Sequence, residues 1–191
     1  MRLTAPRIKP KEKENWDEED HRIMKPFVES RSVHNVFKTL LQHPSMMKRW
    51  MVFANHILFK STLSFRDREL VILRVGYLCE AGYEWAQHEV IGRKAGLDVA
   101  GINSAIVGPT SPGLCELDRL LLTATDELIA DTFIQGETWD SLLVHLNEQQ
   151  VVDLIFTVGQ YNLVSMALNT LGVQLDKGLS RGAFRRRSTY S

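Results

Sequence analysis

Residues 64–97, SFRDRELVILRVGYLCEAGYEWAQHEVIGRKAGL, constrain the fold more than any other part of the chain. Ser64 with Asp67 three residues on is a helix start of the capping-box type, and it predicts a helix over about residues 65–79. Leu70, Val71, Ile72, Leu73, Val75, Tyr77 and Leu78 leave that helix no wide polar face, which puts it in the middle of a core. Glu69 and Arg74 stand out against this background, because buried ions persist only when paired or hydrogen-bonded. Glu80-Ala81-Gly82 makes a corner, and a second helix over about residues 83–95 ends at Gly96.

On the second helix Glu84 and His88 are four residues apart and project from one face. A carboxylate in a helix's first turn meets free backbone amides, while an imidazole titrates near neutral pH and exchanges protons readily. If the two helices pack antiparallel, Glu69 approaches the same point, as a proton-transfer group or as a structural partner of Arg74. Exposed Glu and His at this spacing form surface ion pairs of little consequence. Here Tyr83 and Trp85 flank the pair, which favours a cleft with perturbed titration. A metal held by Glu69, Glu84 and His88 is the third reading, and the weakest, because two carboxylates and one imidazole make a poor donor set. No metal and no cofactor are expected.

In these residues the chain resembles the carboxymuconolactone decarboxylase family, which includes the alkylhydroperoxidase AhpD-like proteins. The likeness is close over RELVILRVGYLCEAGYEWAQHEVIGRKAGL and looser over about residues 33–176, including HNVFKTLLQHPSMMKRW and GQYNLVSMALNTLGVQLD. The resemblance implies an all-α, single-domain antiparallel helical bundle that assembles into a dimer, trimer or hexamer. In the peroxidase branch of that family a glutamate on the first helix precedes a CxxC pair, and a histidine follows four residues after the second cysteine. Glu69 and His88 match the outer members, but Ala81 and Glu84 hold the cysteine positions. Peroxide reduction by that route needs a nucleophilic and a resolving thiol, which neither residue supplies. The Glu-Trp-x-x-His form resembles the non-redox members instead. They imply a cofactor-independent lyase, isomerase or hydrolase for a small carboxylated or lactone compound, with His88 as general acid or base, Glu84 orienting it and Glu69 assisting. Tyr83, Trp85, His56 and Tyr161 are expected to contact the substrate. The alternatives are a peroxidase relative with lost or residual thiol chemistry at Cys79, and a non-catalytic oligomeric binding protein.

Lys plus Arg and Asp plus Glu both number 23, so no net field draws the chain to nucleic acid or to a membrane. No Gly-rich phosphate loop, nucleophile elbow or zinc-type cysteine spacing appears. Cys79 and Cys115 read as small core residues in a reducing, cytoplasmic compartment. Nothing resembles a signal peptide, and every apolar run is interrupted before about 18 residues. Residues 1–15 have little to bury and read as a flexible arm, residues 16–176 as the domain, and residues 177–191 as a basic, solvated tail bearing Arg181, Arg185, Arg186 and Arg187.

Helical periodicity continues elsewhere, with runs starting at Val33 and Met46, a helix capped by Asp98, one over about residues 115–130, and one over 138–146. The acids Glu116, Asp118, Asp126, Glu127 and Asp131 read as a solvated face. The segment VVDLIFTV has strand propensity, but the unbroken apolar pattern makes residues 148–171 a helix, opened by Asn147 with Gln150 and stopped by Gly172. Gly159 is expected to admit a close neighbouring helix, and Tyr161, Asn162 and Asn169 need partners on this core element.

Overall fold

A computed structural model describes residues 2–180, 182 and 184. Among them the chain forms nine α-helices and one turn of 3-10 helix, with no strand. The helices are α1 (Glu18–Glu29), α2 (Asn35–Leu40), α3 (Pro44–Phe59), α4 (Phe65–Leu78), α5 (Gly82–Lys94), α6 (Val99–Val107), α7 (Glu116–Asp131), α8 (Gly136–His145) and α9 (Glu148–Leu171). Ser64 Oγ accepts the Asp67 N–H at the start of α4, while Asn147 and Gln150 form a reciprocal capping box at α9. Gly172 ends α9 in the left-handed region, and Gly82 rather than Tyr83 opens α5.

Helix α4 is the hub, packing against α5, α6, α7 and α9. Leu70, Val71, Ile72, Leu73 and Val75 are wholly buried along it, each removing about 1.5–3 kcal/mol of side-chain surface from water. Two cores meet there. Val71, Ile72 and Val75 pack with residues of α3, α7, α8 and α9, while Leu70 and Leu73 pack with Trp85, Leu97, Ile102 and Leu122. Helices α1, α2 and α3 add a third cluster around Met24, Leu41 and Met47.

Several expectations are corrected. Residues 2–15 lie along the domain, with the Arg7 N–H donating to Leu171 O and the Trp16 indole to Lys11 O. Helix α9 is long and apolar enough to cross a membrane by length and composition, yet half of it is buried in the molecule and it contacts five other helices. Gly159 faces open space, and the close approach falls instead at Gly76, against Glu84 and Trp85. The acidic row on α7 is not simply solvated. Asp118 pairs with Arg66, Asp126 with Arg74, and Glu127 accepts from Thr138. Cys115 is exposed at the start of α7. Arg181 and Arg185 to Arg187 of the basic tail lie outside the described residues.

Candidate active site

The corner between α4 and α5 sets the site. Glu80 takes φ 51°, the Glu80 N–H donates to Tyr77 O at 3.0 Å, and the Ala81 N–H reaches back to Gly76 O at 2.8 Å. This is a Schellman closure with a glutamate where glycine is usual. The chain therefore reverses, and α5 returns along α4 with Trp85 beside Gly76, Gly92 beside Leu73 and His88 beside Glu69.

That reversal brings together the three residues singled out by sequence. His88 Nδ1 lies 2.6 Å from Glu69 Oε2, and His88 Nε2 lies 3.2 Å from Glu84 Oε1. All three are buried, Glu69 completely. Behind them Arg68 Nη2 donates to Glu69 Oε1 at 3.2 Å, so the charges alternate in a row from Arg68 through Glu69 and His88 to Glu84. Burial alone would lower the pKa of His88, but the flanking carboxylates of Glu69 and Glu84 override it and raise it to about 10. The imidazolium thus hydrogen-bonds Glu69 through Nδ1 and forms an ion pair with Glu84 at Nε2. Glu69 is not a partner of Arg74, as one reading had it. Arg74 turns the other way, to Asp126 and to the carbonyls of Ala105 and Ile106.

Glu84 and His88 open onto a cavity of about 280 Å³ whose walls include Phe27, Phe37, Trp50, Met51, Leu58 and Val164. Glu69 does not line it and stands behind His88. A larger depression of about 720 Å³ shares Phe27, Ser32, Met51, Asn55 and Phe59 with it but includes none of the three site residues.

Of the four expected contact residues, two reach the cavity. Tyr161 meets His88 edge-on, with ring centroids 4.9 Å apart, and burial together with the charges of Glu84 and Glu69 keeps its phenol protonated. Tyr83 also lines the wall, but its hydroxyl donates to Asp176 Oδ2 at 2.5 Å and accepts from the Gln87 amide and the Val36 N–H. Trp85 is turned away. One residue on a helix is a rotation of about 100°, so the neighbour of Glu84 points into the core around Leu70 and Leu73, its indole N–H donating to Glu89. His56 sits on an outer face of α3, half-exposed and 3.9 Å from Asp153. Asn162 and Asn169 are structural, accepting the Cys79 thiol and donating to the Cys79 carbonyl respectively.

Sequence reasoning missed Gln87, His34 and Gln160, all on the cavity wall. Gln87 and Ile91 were detectable, since Glu84, Gln87, His88 and Ile91 recur at i, i+3, i+4 and i+7. No comparable local signal marks Gln160 on α9.

Comparisons with known proteins bear on the fold. Residues 44–127 match the carboxymuconolactone decarboxylase family. That segment runs from the start of α3 into α7 and carries every member of the Arg68–Glu69–His88–Glu84 row. Solved structures share the fold beyond residues 44–127. A peroxidase-related protein from Silicibacter sp. TM1040 is 17% identical over 96% of this chain and 100% of its own, with a TM-score of 0.79. The AhpD-core, peroxidase-related protein from Ralstonia eutropha JMP134 is 17% identical over 91% of this chain and 95% of its own, with a TM-score of 0.77. The debrominase Bmp8 in complex with 2,3,4-tribromopyrrole is 11% identical over 91% of this chain and 94% of its own, with a TM-score of 0.73. No curated protein matches the sequence.

Proposed function

We propose that this protein is a cofactor-independent enzyme that transfers protons on a small carboxylated or lactone compound, as a lyase, isomerase or hydrolase. The observation that carries the reading is the imidazole of His88 clamped between two carboxylates at the wall of a mostly apolar cavity. In such surroundings a proton is held at a defined place and delivered without solvent, the condition under which a positioned acid or base is effective. Glu84 is the member of the row that stands at the cavity with only one oxygen against His88. It is the group that exchanges a proton with the substrate, His88 feeds or drains it, and Glu69 with Arg68 fixes the imidazole ring and balances its charge. This shifts the leading role from His88, whose two nitrogens are both occupied, to Glu84.

Fold alone does not choose the chemistry, since the solved neighbours include peroxidase-related proteins and a debrominase. The side chains present here weigh against thiol chemistry. Ala81 and Glu84 stand at the cysteine positions, and burial pushes the Cys79 thiol upward while its Sγ donates to Asn162. The decisive experiment replaces His88 with alanine and follows opening or decarboxylation of a lactone panel. Turnover should fall by about 10²–10⁴-fold with the fold intact, and an unchanged rate would remove the clamped imidazole from the mechanism.

A further inference from the structure

The cavity wall says more about charge than the row of acids does. Among the described residues no lysine or arginine lines it. Arg68 is engaged with Glu69 behind the imidazole and His88 has a carboxylate at each nitrogen, while Arg22 and Lys48 line the adjoining depression and not this cavity. His34 reaches the wall but lies 3.4 Å from Asp176. A substrate carboxylate entering this space would leave its water without meeting a free cation, and would face Glu84 at short range. Both effects oppose it, because an unpaired buried charge is costly and like charges repel strongly away from water.

What the wall does offer is neutral hydrogen bonding. Gln160 is 4% exposed, its Oε1 is buried with no hydrogen-bond partner among the described residues, and the residue lines the cavity. Native buried amides are almost always partnered, so an orphan on a cavity wall points to a missing ligand. Tyr161, the next residue, has a protonated hydroxyl with no hydrogen-bond partner among the described residues, and it too faces the space. The Gln160 amide, the Tyr161 hydroxyl and the Glu84 carboxylate therefore stand on the wall of a mostly apolar volume, with Ser32, His34, Asn55 and Gln87 among its other polar residues. At about 280 Å³ that volume falls at the small end of ligand pockets, so it suits a molecule of one or two rings.

We infer that the cavity selects an uncharged, ring-sized carbonyl compound, a neutral lactone rather than a carboxylate, and that Gln160 reads its polar edge. This rests on the acid/base reading above and narrows it, from carboxylated or lactone compounds to neutral ones. Gln160 is a substrate-binding residue in this scheme, with no part in proton transfer.

The test uses the full chain and calorimetric titration with two probes of nearly one shape, coumarin and coumarin-3-carboxylate. Coumarin should bind at least tenfold more tightly than the acid. Gln160→Leu should weaken coumarin by roughly fivefold, the size of one lost hydrogen bond, and Gln160→Met should do the same if the leucine variant folds poorly. Glu84→Gln should narrow the gap between the two probes by relieving the repulsion of the acid. Preference for the acid, equal binding, no binding of either probe, or unchanged coumarin affinity in both Gln160 variants would overturn the inference. Because binding is read without turnover, failure of the acid/base chemistry shows up separately, as ordered binding with no lactone opened.

Discussion

Helix α4 carries two buried arginines, and they have opposite fates. Arg74 uses its guanidinium fully. Nε and Nη2 grip Asp126 at 2.6 and 2.7 Å, and Nη1 caps the end of α6 through the carbonyls of Ala105 and Ile106 at 3.1 and 2.9 Å. Arg68, less than two turns earlier, gives Nη2 to Glu69 while its Nε is buried with no hydrogen-bond partner among the described residues. The row it begins runs through His88 and ends on Glu84 at the cavity wall, which Gln160, its Oε1 without a partner among the described residues, also lines. A closed set of ions fastens three helices together, whereas an open-ended set leaves capacity for a ligand. The contrast teaches that burial of charge does not by itself mark a site; unmet bonding capacity facing a cavity does.

The sharpest way to break that contrast is to remove one charge from each set. Glu84→Gln keeps the shape and should cut turnover of a lactone substrate by about 10²–10⁴-fold, measured as kcat/KM, with a smaller loss of urea midpoint than Arg74→Met because His88 keeps Glu69 as a partner. Arg74→Met should do the reverse. It leaves Asp126 and two carbonyls without their partner, so equilibrium unfolding should show a loss of about 3–5 kcal/mol, while kcat per folded molecule stays within a few-fold of the parent. If Arg74→Met instead abolished turnover at a temperature where it is folded, or Glu84→Gln left turnover untouched, the two sets would not divide as argued.

A pH series separates them next. The folded pKa of His88 is raised to about 10, above its ordinary value of 6.5. A raised pKa means the native state holds the proton more tightly, so this stabilisation is fully present below about 6.5 and drains away as pH climbs toward 10. Over that window the unfolding free energy should fall by up to about 1.4 kcal/mol per pH unit. Subtracting the same series for His88→Gln isolates the imidazole from lysines and phenols that titrate nearby. A difference curve that is flat would show that the acids do not hold this ring charged. No such slope is expected from the Arg74 set, since Arg74→Met and the parent should lose stability in parallel over the same range.

How far the sequence foretold this arrangement follows from how local each signal is. The two central helices, their corner and the His88–Glu84 pairing depend on caps, a stop and a four-residue spacing, all written within residues 64–97, so they were readable directly. The approach of Glu69 needed only the assumption that α5 doubles back. Trp85 failed because neighbouring residues on a helix diverge, and nothing in the string says which of Glu84 and Trp85 faces the cleft. Asp126 lies 52 residues from Arg74, and pairing across such a separation is fixed by packing, which is why the acids of α7 read as a solvated face. Gln160 suffered in the same way. A glutamine on an apolar helix looks like any polar interruption until the cavity beside it is seen.

The two tyrosines on the cavity wall carry the same comparison down to a single oxygen atom. Tyr83 hydroxyl is spoken for three times over, by Asp176, Gln87 and the Val36 backbone, and burial beside the Asp176 carboxylate pushes its pKa up. Tyr83→Phe should therefore cost about 1.5–3 kcal/mol, the range for a hydrogen bond to a charged group, with the Val36 N–H left unmet while Asp176 keeps the Gln87 amide and the Asn35 N–H. Among the described residues the Tyr161 hydroxyl has no such bonds to lose. Tyr161→Phe should leave the urea midpoint within about 0.5 kcal/mol of the parent yet weaken coumarin binding by a few-fold, since the missing group belongs to the ligand rather than to the fold. The pair is informative because the deletion is chemically identical at both positions and the rings share one wall. Were Tyr161→Phe the more destabilising of the two, the hydroxyl would be serving the fold through a bond that closes the wall, and the case for an open, ligand-facing edge would go with it.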